Sequence, residues 1–540
     1  MCLAAEGPCA DRDDVSADVV VYGSTPAAIT ASIAAKRAGC SVVMVSPETR
    51  IGGLTTGGLG RTDVGNREAF GGLALEFYRD IARHYDRDAS WKWQDRSSYE
   101  ISKRYRGKDS MWKFEPSAAL SVLEGWIGRD GIDVRRGERL NRAVGGVRKR
   151  GAAVVSFETL SGRLYRGSVF IDATYEGDLM AAAGVSYAVG RESNATYCET
   201  FNGVQPQARY HNLARGVDPY VRKGDKSSGL LPGIDDKPLG KPGEGDRRIQ
   251  AYCYRMCLTD VPENRIPFFK PAGYDELDFE LLFRNFELGG GPNSHRPNLI
   301  IPWINTEMPN RKTDTNNCLG FSTDYCGANW DYPEASYEER EAIARHHLVR
   351  QQGLMWTLAN HPRVPESVRK EVSRWGTCRD EFLDGYGNGW QRQLYVREAR
   401  RMKGETVITE HHCYGRVRAA HPVALAAYQM DSHHVRRYVG EDGFVHNEGD
   451  VEEKVEKPFP IDYGALTPKR SECENLLVPV CVSASHIAYG SIRMEPVFFA
   501  LGQAAGTAAV LAVQGGVSVQ NVDYAGLRAR LLADGQKLEM

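Results

Sequence analysis

His486 sits between a buried apolar run, Asn475–Ser485, and the turn Arg493-Met494-Glu495-Pro496. A histidine titrates near neutral pH, so it can act as a general base toward an O–H or N–H proton. Arg493 is placed to hold a substrate oxygen. The structural alternatives are a histidine that caps the run on backbone groups and an arginine paired with Glu495. A second charged stretch, Tyr395–Met402, spaces Arg397, Arg400 and Arg401 so that they share one face if the segment is helical. It reads either as a salt-bridge strip with Glu398 and Glu405 or as a clamp, since guanidinium groups pair with carboxylates and sugar oxygens. His412 and His433, from the pairs His411-His412 and His433-His434, are the reserve bases. Asp431-Ser432-His433 is expected to line a pocket or orient a water. Adjacent histidines point in different directions, so no metal site is expected from spacing, although His411, His412, Cys413, Asp431 and His433 contain ligand types.

The elements that must position these groups are clearest at the start of the chain. Val19–Tyr22 is a short β-rich run, Gly23 supplies a sharp turn, Pro26–Ala38 is a small-residue helix, and Ser41–Val45 is a second strand. This is the order of a dinucleotide-binding βαβ unit, with helix N–H groups aimed at an anion. The G-x-G-x-x-G/A fingerprint is degenerate: Gly23-Ser24-Thr25-Pro26-Ala27-Ala28 keeps the first Gly and the small third residue. Ser46 stands where the ribose-binding acid is expected, and Glu48 follows two residues later. The loop Gly52-Gly53-Leu54-Thr55-Thr56-Gly57-Gly58 lets backbone approach a flat ligand closely. A later strand end, Val169–Asp172, leads through Ala173-Thr174-Tyr175-Glu176-Gly177-Asp178 into a helix, as if toward an adenosine. Near the C-terminus, Asn475–Ser485 reads as a strand, and the Gly/Ala-rich helix within Ser491–Val510 starts at Glu495-Pro496. It brings Gly502, Gln503, Ala504, Ala505 and Gly506 toward the cofactor, and its positive end would face a flavin pyrimidine ring.

The chain resembles the FAD-dependent oxidoreductase family of two-dinucleotide-binding-domain flavoproteins, and within it the branch labelled xanthan-lyase-like. The matching stretches are YGSTPAAITASIAAKRAG, IGGLTTGGLGRTD, DATYEGDLMAAAGV, AYCYRMCLTDVPENRIPFFKP, LYVREARRMKGE and NLLVPVCVSASHIAYGSIRMEPVFFALGQAAG, which run from Tyr22 to Gly506. The resemblance implies FAD as cofactor and an α/β fold: a Rossmann-like FAD-binding domain with an inserted α+β substrate domain. It leaves the substrate open.

Composition agrees with a large enzyme of two or three domains: 540 residues, 42% hydrophobic, net charge −2. That balance gives no electrostatic reason to expect nucleic acid as a partner. No run near the ~20 residues of a membrane span is evident, and the first residues lack the form of a signal peptide, so a cytoplasmic protein is expected. The twelve cysteines contain no C-x-x-C and read as buried small hydrophobes. The expected division is a lead-in at 1–17, a discontinuous FAD domain at 18–190 and 472–540, and a substrate domain at 191–471. Within the insert, Gly216–Asp246 is rich in Gly, Lys, Asp and Pro and is expected to be a mobile excursion. Trp303, Trp330, Trp356, Trp375 and Trp390 are expected mostly in the core, with sugar stacking as the alternative. The expected reaction is hydride removal from a small polar substrate, a carbohydrate or related secondary alcohol, with oxygen or another acceptor taking the electrons. The alternatives are flavin reduction of an activated double bond with an arginine as proton donor, and a non-catalytic flavoprotein that binds a glycan or partner.

Overall fold

The computed structural model describes residues 14–99, 109–206, 210–290 and 303–540. Val15–Tyr22 (β1), Pro26–Arg37 (α1) and Val42–Ser46 (β2) form the opening βαβ unit. β1 begins four residues before Val19 because Val15, Ser16 and Ala17 pair with Tyr165, Arg166 and Gly167 of a later strand. The end of the expected lead-in is therefore sheet, while residues 1–13 lie outside the described residues. Gly72–Tyr85 (α2) and Pro116–Asp130 (α3) follow. Asp133–Arg136 (β3), Val147–Arg150 (β4), Ala153–Glu158 (β5) and Leu164–Asp172 (β6) extend the sheet in the order β3-β2-β1-β6-β5-β4. β3, β2, β1 and β6 are parallel neighbours, while β4 and β5 add an antiparallel flank. Parallel strands are covered on both faces, which is why Val19–Tyr22 of β1 and Val42–Val45 of β2 read as unbroken apolar runs.

Residues 256–378 carry a second sheet. Met256–Thr259 (β7), Arg265–Ile266 (β8), Trp303–Met308 (β9), Lys312–Asn317 (β10) and Gly376–Cys378 (β11) pair antiparallel in the order β8-β11-β7-β10-β9. Between β10 and β11 runs the helix Tyr337–Asn360 (α4), opened by a capping box of Ser336 and Glu339. The stretch expected as a mobile excursion holds a hairpin, Tyr220–Arg222 with Asp225–Leu230. Its end is anchored by Asp246, whose carboxylate meets the Arg191 guanidinium at 2.6 Å.

The chain then returns to the first sheet. Within the expected Asn475–Ser485 strand, Leu476–Leu477 (β12) pairs parallel to β6, and Ala484 makes an isolated parallel bridge to Ile408. His486–Ile492 (α5) and Glu495–Gly515 (α6) follow. α6 has the length and apolarity of a membrane span, contrary to the sequence reading, yet 89% of its most apolar window is buried inside the protein. It lies along α1, where Thr30 Oγ1 donates to the Phe499 carbonyl at 2.8 Å. A Cβ at Gly502 would sit 2.3 Å from the Ala27 carbonyl oxygen, and one at Gly506 2.3 Å from that of Ala31. These glycines, expected against the cofactor, let two helix backbones approach. Ala504 and Ala505 are fully buried on the same helix, and Gln503 accepts from the Leu73 N–H at 2.8 Å, which caps α2. The whole 502–506 stretch is therefore packing.

Candidate functional site

The cleft at the C-terminal end of the parallel strands is built by turns that close on one another. Gly23, at φ +141°, sits so near β6 that a Cβ would lie 2.4 Å from the Ala173 carbonyl oxygen. Thr25 donates to that same carbonyl at 2.7 Å and caps α1 by accepting from the Ala28 N–H. Pro26, Ala27 and Ala28 form the buried first turn behind it. Ser24, Thr25, Glu48, Gly53, Thr174 and Asp178 line the cleft, with Arg139, Tyr337 and Arg340 also on its walls. The Ser24 carbonyl accepts from the Gly52 N–H at 2.6 Å, so the glycine loop is pinned over the turn.

Several expected cofactor contacts hold this frame rather than face the cleft. Ser46 Oγ donates to the Glu48 carbonyl at 2.6 Å and accepts from the Glu48 N–H, so the serine shapes the turn that presents Glu48. Asp172 accepts from Thr174 and from the Met180 N–H, and burial raises it to about 6. Glu495 accepts from Thr55 Oγ1 at 2.6 Å and from the Tyr175 hydroxyl at 2.8 Å. That hydroxyl in turn accepts from the Leu54 N–H, so Leu54, Thr55 and Glu495 tie the glycine loop to α6. Burial raises Glu495 to about 7. Its side chain and these bonds occupy the first turn of α6, where the sequence places a flavin ring. Asp178 lines the cleft, but its carboxylate is spent on Arg340, at 2.6 and 3.0 Å, and on Arg400 at 2.8 Å. Burial opposes its charge, yet Arg340 and Arg400 hold it ionised, at about 2.

Glu48 differs from these. Its half-buried carboxylate has no hydrogen-bond partner among the described residues, and burial raises it to about 7 despite Arg139 nearby. A lone acceptor at the end of β2, beside the N-terminus of a twelve-residue helix, fits a dinucleotide: ribose hydroxyls for Glu48 and pyrophosphate for the helix end.

A second constellation lies further along the glycine loop. A Cβ at Gly58 would be 2.2 Å from the Arg255 carbonyl oxygen. The Arg255 guanidinium pairs with Asp314 and reaches Asp63 at 3.9 Å. Leu394 lines the cleft, and the next residue, Tyr395, is ringed by three guanidinium groups. Those of Arg397, Arg493 and Arg255 lie 4.4, 5.8 and 5.9 Å from its ring centroid. Arg493 donates to the Tyr395 hydroxyl at 2.8 Å and pairs with Asp431. Arg397 pairs with Asp324 at 2.9 Å. His433 joins the two pairs, with Nδ1 2.6 Å from Asp324 and Nε2 3.4 Å from Asp431. Burial and Arg397 oppose its protonation, but the two aspartates prevail and raise its pKa. Burial likewise raises the Asp63 carboxyl, only partly countered by Arg255. The Nε atoms of Arg397 and Arg493 are buried without hydrogen-bond partners among the described residues. Arg397, Arg493 and His433 therefore lie together around Tyr395, Asp324 and Asp431. Arg255, Asp63, Asp324 and Tyr395 were not singled out, because nothing in their spacing links them.

The other expected groups are engaged elsewhere. The segment bearing Arg397, Arg400 and Arg401 is not helical, and these arginines diverge to Asp324, Asp178 and Glu398. His486 is buried with both ring nitrogens bonded, Nδ1 to Glu398 at 2.7 Å and Nε2 to Ser432 at 3.2 Å. It supports the His433 loop from behind instead of facing a substrate. His412 closes a capping box with Thr409, and burial lowers its pKa. Trp303 and Trp390 are core, Trp330 and Trp375 pack against it, and Trp356 meets the Tyr274 ring edge-on. His211, Asp450 and Glu452 gather their ligand atoms within 4.8 Å. The Leu319 N–H donates to His211 Nδ1 at 3.0 Å, so a neutral ring presents a proton rather than a lone pair to Glu452.

A family model described as FAD dependent oxidoreductase matches residues 18–531. No curated protein matches significantly. Among solved structures, an L-amino acid deaminase from Proteus vulgaris is 17% identical, covering 35% of this chain and 54% of its own, at a TM-score of 0.24. A flavin-containing monooxygenase from Stenotrophomonas maltophilia is 17% identical over 34% of this chain and 44% of its own, at 0.20. A thioredoxin reductase from T. acidophilum is 15% identical over 34% and 41%, at 0.17. The chain thus spans about half or less of these structures' lengths.

Proposed function

The chain belongs to the FAD dependent oxidoreductase family, and on that premise we propose that it removes hydride from a small polar substrate bearing a secondary hydroxyl, carbohydrates included, at the Tyr395–His433 constellation. The observation that carries this reading is the pair of unpartnered buried Nε–H donors, on Arg397 and Arg493, beside a histidine held between two aspartates. Such donors suit an oxygen-rich substrate. FAD supplies the hydride acceptor when bound. Glu48 would hold its ribose, and the first turn of α1 its pyrophosphate. Arg397 and Arg493 orient the substrate oxygens, and His433 accepts the hydroxyl proton at Nε2, with the positive charge it gains balanced by Asp324 and Asp431.

Anaerobic mixing tests this. A panel of sugars, glycosides and hydroxy acids is added to the loaded protein, and the flavin absorbance is followed. Bleaching by a member of the panel that is lost in His433→Gln supports the reading. Bleaching that persists in His433→Gln removes His433 as the base. The raised pKa of His433 favours a second reading, in which the imidazolium donates a proton to an activated double bond during reduction. In that case only an external reductant bleaches the flavin, and an enone or fumarate-like compound restores its colour.

A further inference from the structure

Cys257 in β7 and Cys378 in β11 lie far apart in the chain, yet the strand register that pairs Leu258 with Thr377 and Thr259 with Gly376 places them directly opposite each other. Their Sγ atoms are 3.8 Å apart, and the Cys378 thiol also faces the Cys257 carbonyl at 3.5 Å. Opposed residues of an antiparallel pair have Cα atoms about 4.5–5.5 Å apart, within the span a disulfide needs. Closing the sulfurs to bonding distance therefore asks for side-chain rotation and little backbone movement.

We propose that Cys257 and Cys378 are an oxidisable dithiol that a hydroperoxide converts to a cross-strand disulfide. In the first step one thiol sulfur attacks the peroxide oxygen, the O–O bond breaks, and a sulfenic acid and one molecule of water or alcohol form. The second sulfur then displaces the sulfenic oxygen as water and the S–S bond closes, so two thiols lose two electrons to one peroxide. The pair is enclosed by Met308 and Phe382, and both cysteines are almost wholly buried. Burial also pushes the Cys257 thiol well up, so its thiolate is scarce in the closed protein. Oxidation is therefore slow and requires the sheet to open. The opening is short, because among the described residues only the two-residue strand β8 lies outside β11. β7 follows directly on Arg255, so the cross-link would clamp the strand that delivers Arg255 to Asp314 and Asp63.

The test treats the flavin-loaded protein with hydrogen peroxide or with dithiothreitol, then blocks free thiols, digests it and maps the peptides by mass spectrometry. The expected result is one joined pair of peptides containing Cys257 and Cys378, lighter by two hydrogens than the separate thiols and absent after dithiothreitol. Cys257→Ser and Cys378→Ser should each abolish it. Closing a loop of this length should also raise the thermal unfolding midpoint of the oxidised protein by several degrees, reversibly. Repeating the peroxide treatment in mild denaturant, where the thiols are exposed, guards against slow access. Cys257 joined to Cys253 instead, or sulfinic acids without a cross-link under both conditions, would overturn the proposal.

Discussion

FAD affinity should depend on pH through Glu48. In the free protein its carboxyl is raised to about 7, chiefly by burial, and no donor among the described residues meets it. Ribose hydroxyls that donate to the carboxylate favour its charged form, so binding would return it toward the ordinary 4.5 and expel a proton at lower pH. The sign follows from this. Affinity is complete above about pH 7 and falls as the pH drops through 7, where the free protein takes up a proton that the complex does not hold. A difference of roughly 2.5 units predicts that the dissociation constant weakens by up to about 30-fold between about pH 8 and about pH 5.5. Glu48 is only half-buried, so solvent screening makes this figure an upper bound. Apo protein titrated with FAD, followed by quenching of flavin fluorescence across that range, gives the slope. Glu48→Gln cannot titrate and should flatten it. An equal slope in Glu48→Gln, or a flat wild-type profile, would refute the placement of the ribose.

Gly506→Val puts a Cβ 2.3 Å from the Ala31 carbonyl oxygen and should cost at least ~1–3 kcal/mol, seen as a lower thermal midpoint; loss of FAD with unchanged stability would instead restore it as a cofactor contact. Arg397→Ala strands the buried Asp324 carboxylate beside His433 and should destabilise by about 3–5 kcal/mol in denaturant titration. Because Asp324 and Asp431 raise the His433 pKa, a reaction that uses its neutral ring should accelerate with pH through that raised value, and single-turnover flavin bleaching against pH measures it. His412→Ala should cost about 1 kcal/mol through its lost cap and leave substrate-dependent bleaching unchanged.

The opening βαβ unit, the turn at Gly23 and the start of α6 at Glu495-Pro496 were legible in the residues, because each depends on local periodicity or on one local backbone demand. The family was legible for the same reason. What the glycines and charges do was not. Gly53 lines the cleft and Gly502 meets α1, yet both are glycine because a Cβ would collide, and only the partner surface tells them apart. Ser46 and Glu48 could each have been the ribose ligand until the turn showed the serine hydroxyl bonded to the glutamate's own backbone. His486 had the right neighbours in sequence, but Glu398 and Ser432, from distant segments, bond its two ring nitrogens and hold it behind the His433 loop. Arg397 with Asp324, Arg493 with Asp431 and Arg255 with Asp314 are likewise long-range pairs. Coulomb attraction acts through space, so only the tertiary fold decides which charges meet.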